Sequence, residues 1–426
     1  MDAAGVAGQP LTRAVLATLL LAVGSVALAA TERLPALAQQ MARARLVVEG
    51  TVAGVETYDA GRLALARVTV GRTVKGTADG EVTVLERRDL PSAPELLKPG
   101  DTVLLFATPA PRLSSTAALL PAGAHLEPVG GRNGVVVGPP ADVREATDIL
   151  QRLAAASATP EPDAAKRAAA QRAVVFDEIA ARHARLVADG ATALPSLADL
   201  AATLSPVERG RLEAALARTD LPSWVRVTLV HGIGDAHLTA LVPALRAIPS
   251  PDGALQEVVW ATLRQLGSPA TPEEIAKALG SDDPSTRSAA VRALAATNAP
   301  DAAERIGKVA EHDPNADVRV AATEALGSPT LPGGMAMLEH LFTVGDWPLR
   351  QAAGRGINAI GGRPAQEAYG RLAYSDRPEA QPYAVTLLML TGIDHDDPLM
   401  VRIRTSHPDP SVRDIAANGL PVQTEH

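Results

Sequence analysis

Two periodicities divide the chain. Between residues 43 and 137, apolar residues recur at every second position in short runs bounded by Gly, Pro and Asp, the pattern of strands rather than helices. The runs predict strands at Leu46–Glu56, Leu63–Val74, Glu81–Leu85, Thr102–Ala107 and Asn133–Val137, with turns at Asp59-Ala60-Gly61, Thr77-Ala78-Asp79-Gly80 and Lys98-Pro99-Gly100-Asp101. Leu63 and Leu65 fall out of phase with Val68 and Val70, which predicts a bulge or a strong bend. Five short strands in so little chain imply a small closed barrel, because closure removes exposed strand edges.

From Asp142 the spacing becomes helical. Val143, Ala146, Ile149, Leu150 and Leu153 share one face and predict a helix over Asp142–Ala156, ended by Ser157–Asp163 with its two prolines, a linker. A long helix is expected from Ala164 to about Ala188, closed by Asp189-Gly190. Helices over Pro195–Leu204 and Pro206–Ala217 follow, the second opened by the capping box Ser205-Pro206-Val207-Glu208. None of these carries the repeat that comes next, as expected of an N-terminal cap on a repeat array.

The repeat is clearest in Ser281–Gly327, where Asp283-Pro284-x-x-Arg287-x-x-Ala290-x-x-x-Leu294 is followed by Asn315-Ala316-x-x-Arg319-x-x-Ala322-x-x-x-Leu326. Aligned on the basic or amide position, Arg226, Gln256, Arg287, Arg319, Arg350, Gln381 and Arg413 recur at intervals of 30 to 32 residues. Four residues earlier stand Asp252, Asp283, Asn315, Asp346 and Asp409, all good N-cap residues, while Pro284, Pro378 and Pro410 fit the first helical position. Small residues (Ala290, Ala322, Ala353, Ala384, Ala416) and branched ones (Ile233, Leu263, Leu294, Leu326, Ile357, Leu388, Leu420) share the buried face. Second helices are predicted at Leu238–Ile248, Pro272–Leu279, Ala302–His312, Met335–Val344, Ala365–Tyr374 and Pro398–Arg404, giving an α-solenoid of about seven pairs of ~31 residues.

Two resemblances follow. Leu46-Val47-Val48-Glu49-Gly50-Thr51-Val52, Val68-Thr69-Val70 leading into Val74-Lys75-Gly76, and Leu97-Lys98-Pro99-Gly100-Asp101-Thr102-Val103-Leu104-Leu105-Phe106 resemble the secreted OB-fold domain of the netrin-module/metalloproteinase-inhibitor type. Inhibitors of that superfamily depend on an N-terminal cysteine that this chain lacks, so inhibition is not carried over. The repeat is similar to the HEAT-like repeats of the phycobilisome-lyase type. That resemblance implies a hydrogen-bonded ladder between neighbouring repeats, built from Asp283, Arg287, Asn315, Arg319, Asp346, Arg350, Asp409 and Arg413; the Gln256 and Gln381 units depart from it. The fold class is therefore α+β multidomain, a small N-terminal OB-like β-barrel followed by an all-α HEAT-repeat solenoid.

Composition adds location and exclusions. Arg13, the apolar run Ala14–Val23 and Ala27-Leu28-Ala29 read as an export signal cut after Ala29 or Ala30, leaving no membrane span. The divisions are 1–30 signal, 31–141 barrel, 142–163 helix and linker, 164–217 helical cap and 218–426 repeats. Zero cysteines rule out disulfides and thiolate chemistry, and a formal charge of −8 argues against nucleic acid.

The chemistry is sparse. His231, Asp235 and His237 lack helical ligand spacing, and Asp394-His395-Asp396-Asp397-Pro398 reads as another helix cap, so no metal or cofactor is expected. Ser114, Ser115 and His125 have no nucleophile elbow around them, and Gly130-Gly131-Arg132-Asn133-Gly134 reads as a turn. Trp260 is expected to pack. Trp224, Trp347, Gln256 and Gln381, which sit where the repeat is exposed or irregular, are the candidate binding residues. The expectation is a non-enzymatic, exported scaffold that binds a protein or peptide along the solenoid. Alternatives are a lyase or isomerase acting on a chromophore or protein, or a surface protein whose barrel binds glycan or protease.

Overall fold

The structure is a computed structural model, and it describes residues 37–87, 96–110, 120–121, 125–129, 131–157, 164–248 and 252–418. The expected export segment, residues 114 and 115, and most of the expected linker lie outside these residues. Two compact units are present: one holds the chain through Ala215 together with Asp220–Gly232, the other Leu216–Thr219 and everything from Ile233 onward.

The first unit starts with a helix the alternating pattern did not predict, α1 (Leu37–Arg43). Strands β1 (Leu46–Tyr58), β2 (Leu63–Lys75), β3 (Glu81–Arg87) and β4 (Thr102–Pro109) contain the expected runs and extend each by one or two residues. Two short strands follow, β5 (Leu126–Pro128), not anticipated, and β6 (Val135–Gly138), where Asn133–Val137 was expected. Asn133 itself belongs to a 3-10 turn, Gly131–Gly134. The barrel closes in the order β1-β2-β3-β5-β4 and back to β1, with β3 and β5 parallel and the other neighbours antiparallel. This is an OB-like five-strand barrel. Both β5 and β6 pair with β4, β5 at Ala107–Pro109 and β6 at Thr102–Leu105, so they act as one strand interrupted by residues 129–134.

Burial explains the apolar run in β4. Val103, Leu105 and Ala107 fill the barrel with Val48, Val68 and Val84, while Leu104 and Phe106 face outward into a second cluster. A strand buried on both faces reads as continuous rather than alternating. The change of phase in β2 has a different origin from the one expected. Ala66 and Val68 point inward in one unbroken alternation, and Leu63 and Leu65 pack outside with Leu85. The irregularities are register shifts between β1 and β2, at Val47/Val48, Glu49/Gly50 and Val52/Gly54.

Helix α2 (Pro140–Ser157) buries Val143, Ala146, Ile149 and Leu150 against Val47, Leu104, Phe106 and Val136. The single long helix expected from Ala164 is two: α3 (Ala164–Ala180) and α4 (Ala184–Ala193), with His183 accepting the Arg185 N–H at the start of the second. Asp189 and Gly190, expected to end a helix, lie buried within α4. Gly190 serves close packing instead: a Cβ there would stand 2.8 Å from the Val175 carbonyl oxygen. The helix expected over Pro195–Leu204 is a 3-10 turn, Leu194–Ser196, and one short turn, α5 (Leu200–Thr203), with Asp199 at positive φ between them. Helix α6 (Pro206–Ala217) carries the expected capping box, Ser205 and Glu208 each bonding the other's backbone N–H. Helices over 164–215 thus pack in the unit that holds the barrel. Helix α7 (Ser223–Asp235) follows.

The second unit is an array of helix pairs. First helices are α9 (Gly253–Gln265), α11 (Pro284–Ala295), α13 (Ala316–Ala325), α15 (Trp347–Ile360), α17 (Gln381–Leu390) and α19 (Pro410–Asn418). Second helices are α8 (Val242–Arg246), α10 (Pro272–Leu279), α12 (Ala302–His312), α14 (Gly334–Val344), α16 (Gly362–Leu372) and α18 (Pro398–Ser406). Among the described residues α19 is followed by no second helix. The helix expected over Leu238–Ile248 is shorter, a 3-10 turn, Thr239–Leu241, followed by the five residues of α8.

The N-caps work as the spacing predicts. Asp252, Asp283, Asn315 and Asp346 each accept a backbone N–H from the first turn of their own helix. One continuous core runs from Ile275 to Ala416 and includes Leu294, Leu326, Ile357 and Leu388 from the branched column, with Ala322, Ala353, Ala384 and Ala416 from the small one. Among the described residues no helix is long and apolar enough to cross a membrane.

Candidate functional site

The Arg column is occupied with structure. Arg287 donates from Nη1 to the carbonyls of Ser281 (2.8 Å) and Asp282 (3.1 Å), closing the loop before its own helix. Arg319 does the same to Asp313 O (3.0 Å), Gln381 to Ser375 O (2.6 Å), Arg413 to His407 and Pro408, and Arg350 to Phe342 O (2.9 Å). Each cation or amide neutralises carbonyls left open at a turn.

The Asp members of the expected ladder behave differently. Asp283 accepts from Ser285 and Thr286, hydroxyls and backbone N–H groups alike, and those bonds hold its carboxyl at about 2. Asp346 and Asp409 likewise turn onto Leu349 and Ser411 of their own helices. In these three the carboxylate is turned onto its own helix start and makes no rung to the Arg column of the next repeat. The rung that does cross is Arg287 with Asp313, two bonds of 2.8 Å between side chains only 11% and 6% exposed.

Of the four candidate binding residues, Gln256 lies in a cavity. A cleft of about 600 Å³ has Leu245, Ile248, Val259, Trp260 and Leu263 as its floor and Gln256, Lys277, Ser281, Asp282 and Thr286 at its rim. It stands between α8 and α10 over α9. Helix α8 spans only five residues where α10 has eight and α12 eleven, so the layer of second helices is thin there. Arg246 braces one wall, reaching both Glu274 oxygens at 2.5 Å and the Ser268 and Pro269 carbonyls at 3.0 and 2.9 Å. Burial opposes ionisation of Glu274, but the Arg246 bonds and the Thr271 N–H outweigh it and its pKa is lowered. Trp260, 7% exposed, packs as expected. It also lines a smaller groove of about 380 Å³ with Ala261, Ala289 and Ala293.

Trp347 is a surface side chain, 52% exposed, at the first turn of α15. Its ring lies 4.9 Å from Tyr383, which stacks on Phe342 at 5.5 Å and 8°, and Phe342 meets the edge of Tyr369 at 6.3 Å. The Tyr369 hydroxyl donates to Gly354 O (2.9 Å) or Asn358 Oδ1 (2.8 Å). Tyr383 was missed in the sequence; its place two residues after the aligned Gln381, on the first turn of the neighbouring first helix, is the signal that would have found it. Trp224 is 40% exposed near the start of α7, and the Gln381 amide is bound to Ser375.

The first unit holds a different chemistry, also missed. Asp189 accepts the N–H of Leu37, the first residue of α1 (3.0 Å), and the Arg185 Nε (3.1 Å). Burial raises its carboxyl to about 6 against the pull of those donors. Glu178 is pushed up to about 8 by burial first, then by the charges of Asp189 and Asp177. No alternating or helical period signals a buried acid. Among the described residues no three ligand-bearing side chains cluster around a common ion position.

Comparison with known proteins places the repeats. Residues 238–327 and 272–358 match the family model of HEAT repeats. No curated protein matches the chain. Two crystal structures of engineered proteins are similar to it: one at 17% identity, covering 65% of this chain and 78% of that one with a TM-score of 0.28, the other at 18% identity, covering 64% and 95% with a TM-score of 0.14.

Proposed function

We propose, taking residues 238–358 as HEAT repeats, that this protein is an exported, non-enzymatic scaffold that holds a protein or peptide segment in the cleft over α9. The carrying observation is the cleft, an apolar floor with a polar rim at a place where the second-helix layer thins. Its volume lies in the range of sites that take up small groups or a few side chains. An apolar side chain of the segment enters between Leu245 and Leu263, and the Gln256 amide offers a donor and an acceptor to the segment's backbone. Binding without turnover fits the ionisable wall, since Arg246 and Glu274 are committed to each other and to backbone groups. Export rests on the Arg13–Ala30 signal.

The test fills the cleft. Ala278, half-buried at its edge, is replaced by Phe, and binding partners from an envelope fraction are compared for the two full-length proteins. A partner held by the native chain and lost by Ala278→Phe, with unchanged thermal unfolding, is expected. A partner that binds the filled cleft equally well, or steady turnover of a small molecule, sinks the reading. N-terminal sequencing of the exported protein should begin at Ala30 or Thr31; an intact Met1 retained in the cytosol removes the export part.

A further inference from the structure

The charge of this chain is divided unevenly. Of 48 acidic and 40 basic residues, 24 and 24 fall in residues 1–232, against 24 and 16 in residues 233–426, so the whole formal −8 belongs to the repeat array. The bases of the array are further withdrawn, because Arg287, Arg319, Arg350 and Arg413 point at backbone carbonyls. The acids are not. Asp282, Asp283, Asp346, Asp376 and Glu379 are exposed in the loops that lead into first helices, where Arg377 is the base of the 375–380 loop.

Trp347 follows Asp346 on that edge, and Arg350, one turn further along the same helix, lies 3.9 Å from Glu379. In a chain with 3 Trp, 4 Tyr and 3 Phe, four of the rings form one contiguous cluster here, and only its outermost member is more than half exposed. A ring held this way binds with little further loss of side-chain freedom. Its partner Tyr383 is anchored from beneath by Phe342. Glu379 lies 3.9 Å from Arg350 Nη2, beyond hydrogen-bond reach, with its side chain 58% exposed.

We propose that Trp347 and Tyr383, flanked by Asp346 and Glu379, form a docking surface for a cationic segment of a partner protein. A lysine or arginine of the segment lies on the exposed indole, where the ring quadrupole attracts it, and the flanking carboxylates complete the match. A second copy of this chain is disfavoured as occupant by the like charge of the array. The surface is separate from the cleft over α9 and stands or falls independently of it.

The probe is a labelled nine-residue peptide alternating glycine with lysine and arginine, and its counterpart with acetyl-lysine and citrulline, titrated into the full-length protein and followed by anisotropy. The charged peptide should bind at least about tenfold tighter than the neutral one. Trp347→Ala should weaken binding about fivefold, and Trp347→Phe should keep part of it. Asp346→Asn with Glu379→Gln should weaken binding and reduce its salt dependence, because Asn caps the helix as well as Asp does. Ala278→Phe should change nothing. Equal affinity for the neutral peptide, Trp347→Ala binding like the native chain with an unaltered unfolding profile, or self-association through Trp347 overturns the proposal.

Discussion

The helix pair α3–α4 of the barrel unit and the helix starts of the repeat array use carboxylates in opposite ways. In the array, acids at helix starts take N–H and hydroxyl bonds in their ionised form and are lowered, Asp283 to about 2 with Asp397 and Asp409 also lowered, while Asp313 is lowered chiefly by its bonds to Arg287. In the barrel unit, Glu178 and Asp189 are buried between helices, and withdrawal from water raises them to about 8 and about 6. The difference follows from how each unit is specified. A repeat needs a local signal at every helix start, and a carboxylate in water supplies it. A helix pair packed on a barrel needs tertiary contacts, and Asp189 supplies one by reaching across 152 residues to the start of α1.

The largest expected effect tests whether the units have separate cores. Phe106→Ala should cost ~3–5 kcal/mol and Leu326→Ala ~2–5 kcal/mol, each by a cavity in a fully buried site. Site-resolved hydrogen exchange should show each loss confined to its own unit. Equal loss in both units from either change would break the comparison.

Acidity sharpens it. A carboxyl raised on folding is held protonated more readily by the native state, so its contribution is complete below the unfolded value and is lost as pH rises through the folded one. For Glu178 that window runs from 4.5 to about 8, and for Asp189 from 3.8 to about 6. The barrel unit should therefore gain stability on acidification from pH 8 to pH 5, on the order of 1–3 kcal/mol. Asp283 has the opposite sign: its contribution is present above 3.8 and lost as pH falls toward about 2. Glu178→Gln should flatten most of the rise in the barrel unit and leave the array as it was, measured by denaturant midpoints across pH. A rise that survives in Glu178→Gln would assign it elsewhere.

The smallest effect lies at a cap. Asp283→Ala should cost ~1 kcal/mol through the lost N–H bonds, while Asp283→Asn should stay near the native value at neutral pH. A larger loss in the Asn variant would mean that the charge of Asp283, rather than its cap, holds the array together.

Much of the array was legible because its signals are short-range and recur. N-caps act within three residues and the buried face repeats every three or four, so α9, α10, α11, α12 and α13 fall within a residue or two of where the spacing puts them. The barrel strands were legible for the same reason, since alternation is fixed by the pleat. Reading failed where a residue's role is set by a distant neighbour. Asp189-Gly190 has the look of a helix stop, yet Val175, Glu178 and α1 hold it inside α4. The resemblance implied an Asp-Arg ladder interrupted at the Gln256 and Gln381 units, yet Asp283, Asp346 and Asp409 are turned onto their own caps.

For the candidate sites the division is sharper. The sequence by itself determined the periodicity, the helix starts, the alternating strands and the concentration of negative charge after residue 232. Only the tertiary structure decided that β5 closes the barrel beside β3, that the short α8 leaves a cleft beside Gln256, that Trp347 is left in solvent, and that Tyr383 lies beside it. The reason is distance along the chain: propensity, capping and periodicity are properties of adjacent residues, whereas exposure and pairing depend on groups roughly a whole repeat or more away.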